Sequence, residues 1–567
     1  MKNISVWLPH LNREVVKGVR GFKLCAYLIA LEGWRRGLTL TWYSNSNNVN
    51  NIKKLGNSYN GKFFSLSSKD RTHYFFRSRG DLVTNEAVDI TRNKEETKKW
   101  LKKSNVPFPE GKRFEAPVSD EEIIEYGTSL GFPLVVKPTS GSLGQGVMTN
   151  LNDEAALREA VLYVRSELNF KDIIVEQFIC GEDYRVYVIG DKVVGAVKRK
   201  SANVVGDGKN TIRELIAKKN RRRKKNPYLY TRLINVDKEV DSMIQKLNYT
   251  MESIPKKDEI IFLKGKSNLS SGGDSVDATD ELTEEMKQVA INSLKAVPGL
   301  PHAGVDIISD KTNTVLIEIN PTAIVGSHIY PMEGKARDIP SAIIDYYFPE
   351  TINDQNQKSR MYFNFKSIQE PLASGITSEI KIAPPAKGDL SAKKYTIIGE
   401  VQGVGFRQYI RRKAFEFSLS GWVKNTEDGS IEVVVCGKES LDLDRFKLIC
   451  VEGTERTNVK EVREEPWPEM VMSSFEILDD SEKNQKKKNH KEIEEYKKEI
   501  ENLKTQLNER NDIIVANKQQ LEEISNLNLE IKQEKVKAEK ELNKIKNSRI
   551  WRYTQPVRDI LTSKNKN

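Results

Sequence analysis

PLVVKPTSGSLGQGV, residues 133–147, joins an apolar run to a lysine and then to a glycine-rich loop. Leu134, Val135 and Val136 read as a short buried strand. Lys137 stands at its end, where an ammonium can meet phosphate. Ser140, Gly141, Gly144 and Gly146 follow. Glycine leaves no Cβ in the way, so backbone amides of such a loop approach an anion closely. The lysine precedes the loop, whereas in the Walker arrangement it closes it.

A second pair of segments strengthens the signal. AGVDII (303–308) and NTVLIEIN (313–320) both read as strands. Glu318 and Asn320 are two apart, so they project from one strand face, and Asp306 can sit beside them on a neighbouring strand. Three oxygen donors there suit Mg²⁺, which keeps coordination sites for phosphate oxygens. Between these segments lies IIVEQFICGEDYRVYVIGDKVVGAVKRK (173–200), a buried strand leading to a linker and then a β-hairpin.

With NKEETKKWLKKSNVPFPEG, SANVVGDGKNTIRELI and NLSSGGDSVDATDE, these blocks run in order over about 250 residues. The region resembles the ATP-grasp superfamily, in particular the ATP-grasp domains of cyanophycin synthetases and bifunctional glutathione synthetases. The resemblance implies ATP and Mg²⁺ (or Mn²⁺) as cofactors. It implies that Lys94 and Lys137 hold phosphates from opposite sides while the 140–146 loop closes over them. Glu176, Gln177, Phe178 and Ile179 would border adenine through the backbone, and Glu182 would take the ribose hydroxyls. Arg185 and Arg199 would stabilise phosphate charge, with Arg199 catalytic, and Asp306, Glu318 and Asn320 would hold the metal. The implied chemistry is attack of a carboxylate on the γ-phosphate, then capture of the acyl phosphate by an amine. The segments NRRRKKNPYLY and IEINPTAIVGSHIYP depart from the cyanophycin synthetase pattern, so the acceptor does not carry over. Arg77, Arg79, Ser327 and His328 are candidate substrate contacts.

A second module begins at YTIIGEVQGVGFRQYIRRKAFEFSLSGWVKNTEDGSIEVVVCG (395–437). A strand leads into Gln402-Gly403-Val404-Gly405-Phe406, an amide cradle opening a helix, which is an anion site. Arg407 adds a fixed positive fork, and Asn425 ends the next strand. This resembles acylphosphatase over 393–477. The resemblance implies a phosphate held by the cradle and Arg407, a water oriented by Asn425, and no metal.

The expected architecture is therefore multidomain α/β. An N-terminal α/β domain (1–90) on the substrate side precedes the ATP-grasp fold (91–348) and a connection (349–392). An α+β ferredoxin-like acylphosphatase domain (393–477), an α-helical coiled coil (488–547) and a basic aromatic tail (548–567) follow. The coil rests on heptads, with Ile493, Ile500, Leu507, Ile514 and Leu521 at a positions and Tyr496, Leu503, Ile524 and Ile531 at d positions. Asn517 and Asn528 on that seam favour one register and a small homo-oligomer. The tail, SRIWRYTQPVRDIL (548–561), resembles tails of some bacterial surface-polysaccharide glycosyltransferases and is a candidate for docking on a partner or membrane face.

The net charge of +11 is concentrated partly in NRRRKKNP (220–227) and KNQKKKNHK (483–491), which read as solvated runs with no nucleic-acid motif around them. Four scattered cysteines, no secretion signal and no apolar run of about 20 residues predict a cytoplasmic protein. The leading functional reading is a bifunctional enzyme, a ligase with a tethered acylphosphatase, acting on small carboxylates and amines. The competing readings are a coiled-coil scaffold with a nucleotide switch and an acylphosphatase module, tied to surface-polysaccharide assembly, and a plain acylphosphatase with an inert front half.

Overall fold

A computed structural model describes residues 7–45, 52–53, 58–139, 146–352, 358–385, 390–478, 482–549, 553, 554, 556 and 558. Residues 1–478 form one compact unit and residues 479–567 a second.

The N-terminal part is a five-stranded sheet backed by the helix Gly21–Arg35, in which every residue from Leu24 to Leu31 is buried. The sheet order is Glu379–Ile382, Thr39–Tyr43, Phe63–Ser67, Thr72–Phe76, Arg79–Gly80. Its first strand comes from the segment read as a connection, with Ile382 opposite Leu40. That segment also carries the helix Phe365–Ala373 and the strand Met361–Tyr362. Residues 361–382 are thus structural parts of the N-terminal domain. Pairing with the chain's start satisfies backbone groups that a free linker would leave to water.

The next region has two antiparallel sheets. The first, in the order Gly111–Phe114, Ile173–Gln177, Leu134–Pro138, Met148–Leu151, is packed by the helices Asp120–Leu130 and Glu154–Leu162. The second has the order Asp274–Asp277, Lys192–Lys200, Glu182–Ile189, His302–Ser309, Thr314–Asn320. Its hairpin turns at Gly190, whose φ of 59° suits glycine. A small insertion, built on the strands Asn203–Val205 and Ile260–Phe262 and the helices Ile212–Lys225 and Lys238–Lys246, has its own apolar core. The basic run falls at the end of the first of these helices, where Arg223 is fully buried and bonds Asp274 and the carbonyls of Arg232 and Gly273. One of the run's charges is therefore an internal brace.

Residues 391–477 form a sheet in the order Asn458–Pro466, Ser391–Glu400, Ile431–Gly437, Ser420–Asn425, Phe475–Ile477, with the helices Phe406–Glu416 and Ser440–Glu452 packed on one face. Trp422, Val434 and Cys436, on this sheet, belong to the N-terminal core. Met361 and Tyr362 pair in parallel with Val471 and Met472. This module is packed into the body rather than hung on a flexible tether.

The second unit contains the helix Glu482–Asn547, of 66 residues. At 1.5 Å per residue this helix is about 100 Å long. No helix among the described residues is long and apolar enough to cross a membrane.

Candidate active sites

The two front sheets bring the predicted nucleotide residues together. Lys137 ends its strand and ion-pairs with Glu176, the register partner of Val135 on the adjacent strand. Lys94 opens the helix Lys94–Lys103, capped by the Asn93 side chain. Burial and the like charge of Lys137 lower its ammonium pKa. One helical turn on, Lys98 lies 3.8 Å from Glu176, and its Nζ is buried with no hydrogen-bond partner in the structure. Burial lowers its pKa too. Three lysines thus gather around one carboxylate, an excess of positive charge that an anion would neutralise.

The backbone N–H groups of Gln177 and Phe178 already donate to the carbonyls of Glu110 and Pro133. A base lying there would therefore meet carbonyls from these two residues. Glu182 bonds Lys198 at 2.6 Å and accepts from the Tyr184 hydroxyl. Of the phosphate loop, Gly146 has φ of 69°, while Ser140, Gly141 and Gly144 lie outside the described residues.

On the facing sheet Asp306 is opposite Glu318, and Asn320 is opposite Gly304. Arg185 holds both Asp306 oxygens, at 2.6 and 2.7 Å, and Arg199 approaches at 3.2 Å. Burial alone would raise the Asp306 carboxyl, but these two guanidinium charges hold it below its ordinary value. Arg199 also bonds Asp183, a half-buried carboxylate whose pKa is raised by desolvation. The Asn320 amide nitrogen is buried with no partner in the structure. Among the described residues no three His, Cys, Asp or Glu side chains form a closed metal cage. Two carboxylates and an amide instead fit a hard divalent cation that takes its remaining ligands from phosphate and water.

Of the substrate candidates, Arg77 is half-buried, with its guanidinium 3.8 Å above the Phe22 ring. The other three are corrected by burial. Arg79 is fully enclosed and spent on the Val83 carbonyl and Asn85. Ser327 and His328 are inside the fold, and the His328 ring bonds the Arg185 carbonyl. All three are buried in this structure.

The rear site is a pocket of about 200 Å³ lined by Val401, Gly403, Gly405, Phe406, Arg407, Gln408, Asn425 and Ile477. Gly403 and Gly405 have φ of 79° and 82°, the left-handed region, which turns successive amides toward one side. The helix Phe406–Glu416 starts there, adding its positive end. Asn425 ends its strand, and its Oδ1 is buried with no hydrogen-bond partner in the structure. The predicted cradle, fork and amide therefore converge. Gln402 does not face the anion with its side chain, which donates to the carbonyls of Thr426 and Ser430.

Comparison with known families places the ATP-grasp domain on residues 91–324 and acylphosphatase on residues 393–477. The chain carries an ATP-grasp domain followed by an acylphosphatase domain.

The chain is 33% identical over 273 residues to cyanophycin synthetase from Crocosphaera subtropica, which is 46% of this chain and 31% of that protein. It is 31% identical over 355 residues to the glutathione biosynthesis bifunctional protein of Clostridium perfringens, 59% of this chain and 42% of that one. The chain thus spans well under half the length of these curated relatives. Among solved structures, an acylphosphatase from Coxiella burnetii is 34% identical, covering 16% of this chain and 94% of that chain at a TM-score of 0.15. ATP-grasp enzymes of this kind use ATP with divalent metal. In the ATP-grasp domain the sequence reading missed Lys98 and Asp183. The i, i+4 spacing of Lys94 and Lys98 would have put them on one helix face. Asp183 lies two residues before Arg185, with no signal of its own.

Proposed function

We propose that the chain is a bifunctional enzyme. The ATP-grasp domain joins a carboxylate to an amine through an acyl phosphate. The acylphosphatase domain hydrolyses acyl phosphates to carboxylate and phosphate. The observation that carries this is the pairing of Asp306 with Glu318, beside Arg185 and Arg199, in a chain that also keeps an intact cradle, Arg407 and Asn425.

In the ligase, Lys94 and Lys137 hold the nucleotide phosphates, the 140–146 loop covers them, residues 176–179 border adenine, and Glu182 takes ribose. Asp306, Glu318 and Asn320 would hold Mg²⁺ (or Mn²⁺), which neutralises phosphate charge when bound. Arg185 and Arg199, fixed by carboxylates, present preorganised positive charge and cost no reorganisation at reaction. The substrate carboxylate attacks the γ-phosphorus and ADP leaves. The amine then attacks the acyl carbon and phosphate leaves. In the acylphosphatase, the cradle amides and Arg407 hold the phosphate, and Asn425 Oδ1 accepts from the water that attacks phosphorus. The P–O bond to the acyl group breaks, freeing the carboxylate. The second domain then removes released or unproductive intermediate. A relative named for glutathione biosynthesis supports a small, peptide-like product.

Four cysteines without disulfides support a cytoplasmic location, and the heptads of the long helix support a homo-oligomer. The tail is proposed to dock on a partner or membrane face.

The test is ADP release over a panel of amino acids and small peptides, with mass spectrometry of products, alongside benzoyl phosphate hydrolysis. Lys137→Ala should abolish ADP release and spare hydrolysis, and Arg407→Ala should do the reverse. If Lys137→Ala leaves ADP release unchanged, the ligase assignment is wrong. If Arg407→Ala leaves ATP consumed per product unchanged, the proposed clearing role is wrong.

A further inference from the structure

The strand Phe475–Ile477 forms one edge of the rear sheet and pairs in parallel with Ser420–Asn425. Ile477 is the register partner of Val423, and the Leu478 N–H donates to the Val423 carbonyl at 2.9 Å. Side chains alternate across a sheet, so Val423 and Asn425 share a face, and Ile477 stands beside them on it. Val423 and Phe475 bury that face in the core under the two helices, and Ile477 packs at its margin. Ile477 is half-buried, and it lines the same pocket as Gly403, Gly405, Arg407 and Asn425. Val401 and Phe406, the other strongly apolar lining residues, are fully buried in the core below. Ile477 is the one with surface left to offer a ligand.

Charge around the pocket is one-sided. Among the residues lining it, Arg407 is the ionisable one. Lys424, next to Asn425 in the chain, projects from the opposite face of the sheet and bonds Glu432 at 2.6 Å. Arg411, one helical turn beyond Arg407, directs its guanidinium to the Phe415 ring, 5.3 Å from the centroid. Glu476 also turns to the other face and accepts from the Asn364 amide at 2.9 Å. Asp428 is taken up by Thr426 and Ser430. A phosphate in the cradle would therefore use the pocket's cation. An acyl group extending over Ile477 would meet apolar surface and, among the described residues, no second cation lining the pocket. The volume of about 200 Å³ is below the roughly 300–1,000 Å³ of pockets that enclose drug-sized ligands, so the acyl group would be gripped near its carbonyl.

We propose that Ile477 is the acyl-side wall of the rear site. The site then selects acyl phosphates with an apolar acyl group over those that carry a second carboxylate. This rests on the acylphosphatase reading above and gives it a substrate class. An apolar acyl group gains by leaving water against Ile477, whereas a second carboxylate would shed water with no donor to replace it.

The probes are benzoylphosphonate and 4-carboxybenzoylphosphonate, which hydrolysis cannot consume. They are titrated calorimetrically into the full chain with a non-hydrolysable ATP analogue occupying the front site. Benzoylphosphonate should bind about ten-fold or more tighter, the cost of leaving a desolvated polar group unpaired. Ile477→Lys supplies the missing cation and should narrow that preference to roughly three-fold or less. Inorganic phosphate, which has no acyl group, is the reference for folding. In Ile477→Ala, benzoylphosphonate affinity relative to phosphate should fall by about three-fold or more, and Ile477→Leu should restore it. Equal binding of the two analogues by the parent, binding of neither, or an undiminished preference in Ile477→Lys would overturn the proposal. So would an unchanged ratio of benzoylphosphonate to phosphate in Ile477→Ala, which decides the matter if the lysine variant does not fold. Failure of the acylphosphatase reading appears separately, as benzoyl phosphate left intact by the parent, and leaves the binding comparison interpretable.

Discussion

The Gln402 side-chain amide donates to the Ser430 carbonyl at 2.7 Å and to the Thr426 carbonyl at 3.0 Å. It thereby ties the first residue of the cradle to the turn that follows Asn425. The turn has internal support as well. Asp428 accepts from the Thr426 hydroxyl and from the N–H and hydroxyl of Ser430, which hold its carboxyl down to about 2. Gln402 is thus a positioning residue, setting the distance between anion cradle and water-orienting amide. Losing both bonds should lower kcat for benzoyl phosphate by up to about 30-fold, since net hydrogen bonds are worth about 1 kcal/mol each. In Gln402→Ala, KM should move little, because the cradle amides and Arg407 remain. A rise in KM with unchanged kcat would mean that Gln402 binds phosphate directly.

Lys98 offers a second test, in the ATP-grasp domain. Its ammonium is buried, 3.8 Å from Glu176, while Lys137 is paired with the same carboxylate. Bound phosphate would add the missing negative charge. Lys98→Met preserves most of the apolar stem and removes one charge from this cluster. The expected result is an ATP Kd weakened by about ten-fold, with little change in melting temperature, because a desolvated ammonium that makes no hydrogen bond is itself costly. An unchanged Kd would reduce Lys98 to a structural neighbour of Glu176.

Alternation on strands made the proposed metal-donor set legible before any fold was known. Asp306 and Glu318 sit in short, strongly apolar strands, so a facing register was the economical solution, and the structure has it. The cradle was legible for a local reason, two glycines and an arginine at a strand-to-helix junction. The strand Glu379–Ile382 was not, because its partner Thr39–Tyr43 lies more than 300 residues away and its flanks are rich in glycine, serine and proline. Non-local pairing of that kind leaves no periodic trace in a short segment. Arg79 misled for a related reason. It reads as a candidate substrate contact, and only the tertiary fold shows it enclosed around the Val83 carbonyl.

Two buried histidines set an acid limit. His302 lies between the Tyr187 and Tyr347 hydroxyls, and its pKa is lowered from 6.5 to about 3 by burial and then by Arg79. His328 is lowered from 6.5 to about 4, again chiefly by burial. Both folded pKa values lie below the unfolded one, so the stability they confer is complete above pH 6.5. It is lost as pH falls through the window from 6.5 toward 4 and 3. For His328, a shift of this size corresponds to about 3 kcal/mol at the acid end. Urea midpoints measured from pH 7 to pH 4.5 should fall, and the slope against pH should flatten in His328→Gln. An unchanged slope in that variant would assign the acid sensitivity to other groups.

The long helix exposes the apolar side chains of Leu521, Ile524, Ile531, Leu542 and Ile545 along one heptad seam. A seam of that composition is stable in water when a second helix covers it. The flanking charges decide the direction. In this register Glu492, Glu499 and Glu541 take g positions, and Lys497, Lys504 and Lys546 take e positions. A g residue meets the e residue five positions on in a parallel pair, which sets each of these glutamates against a lysine and leaves Glu534 against Glu539 as the like-charge exception. An antiparallel pair would set g against g and e against e, bringing like charges together. Asn528 at an a position fits the same two-stranded, in-register arrangement. A parallel dimer is therefore expected, of about twice the 64.7 kDa chain mass. Light scattering on the full chain should find it, and the double variant Leu521→Glu, Ile524→Glu should give the monomer mass with both enzyme activities retained. Fluorophores placed at Lys546 should lie close together in the parent dimer. If energy transfer between them is absent while the mass remains dimeric, the helices run antiparallel and the charge argument fails.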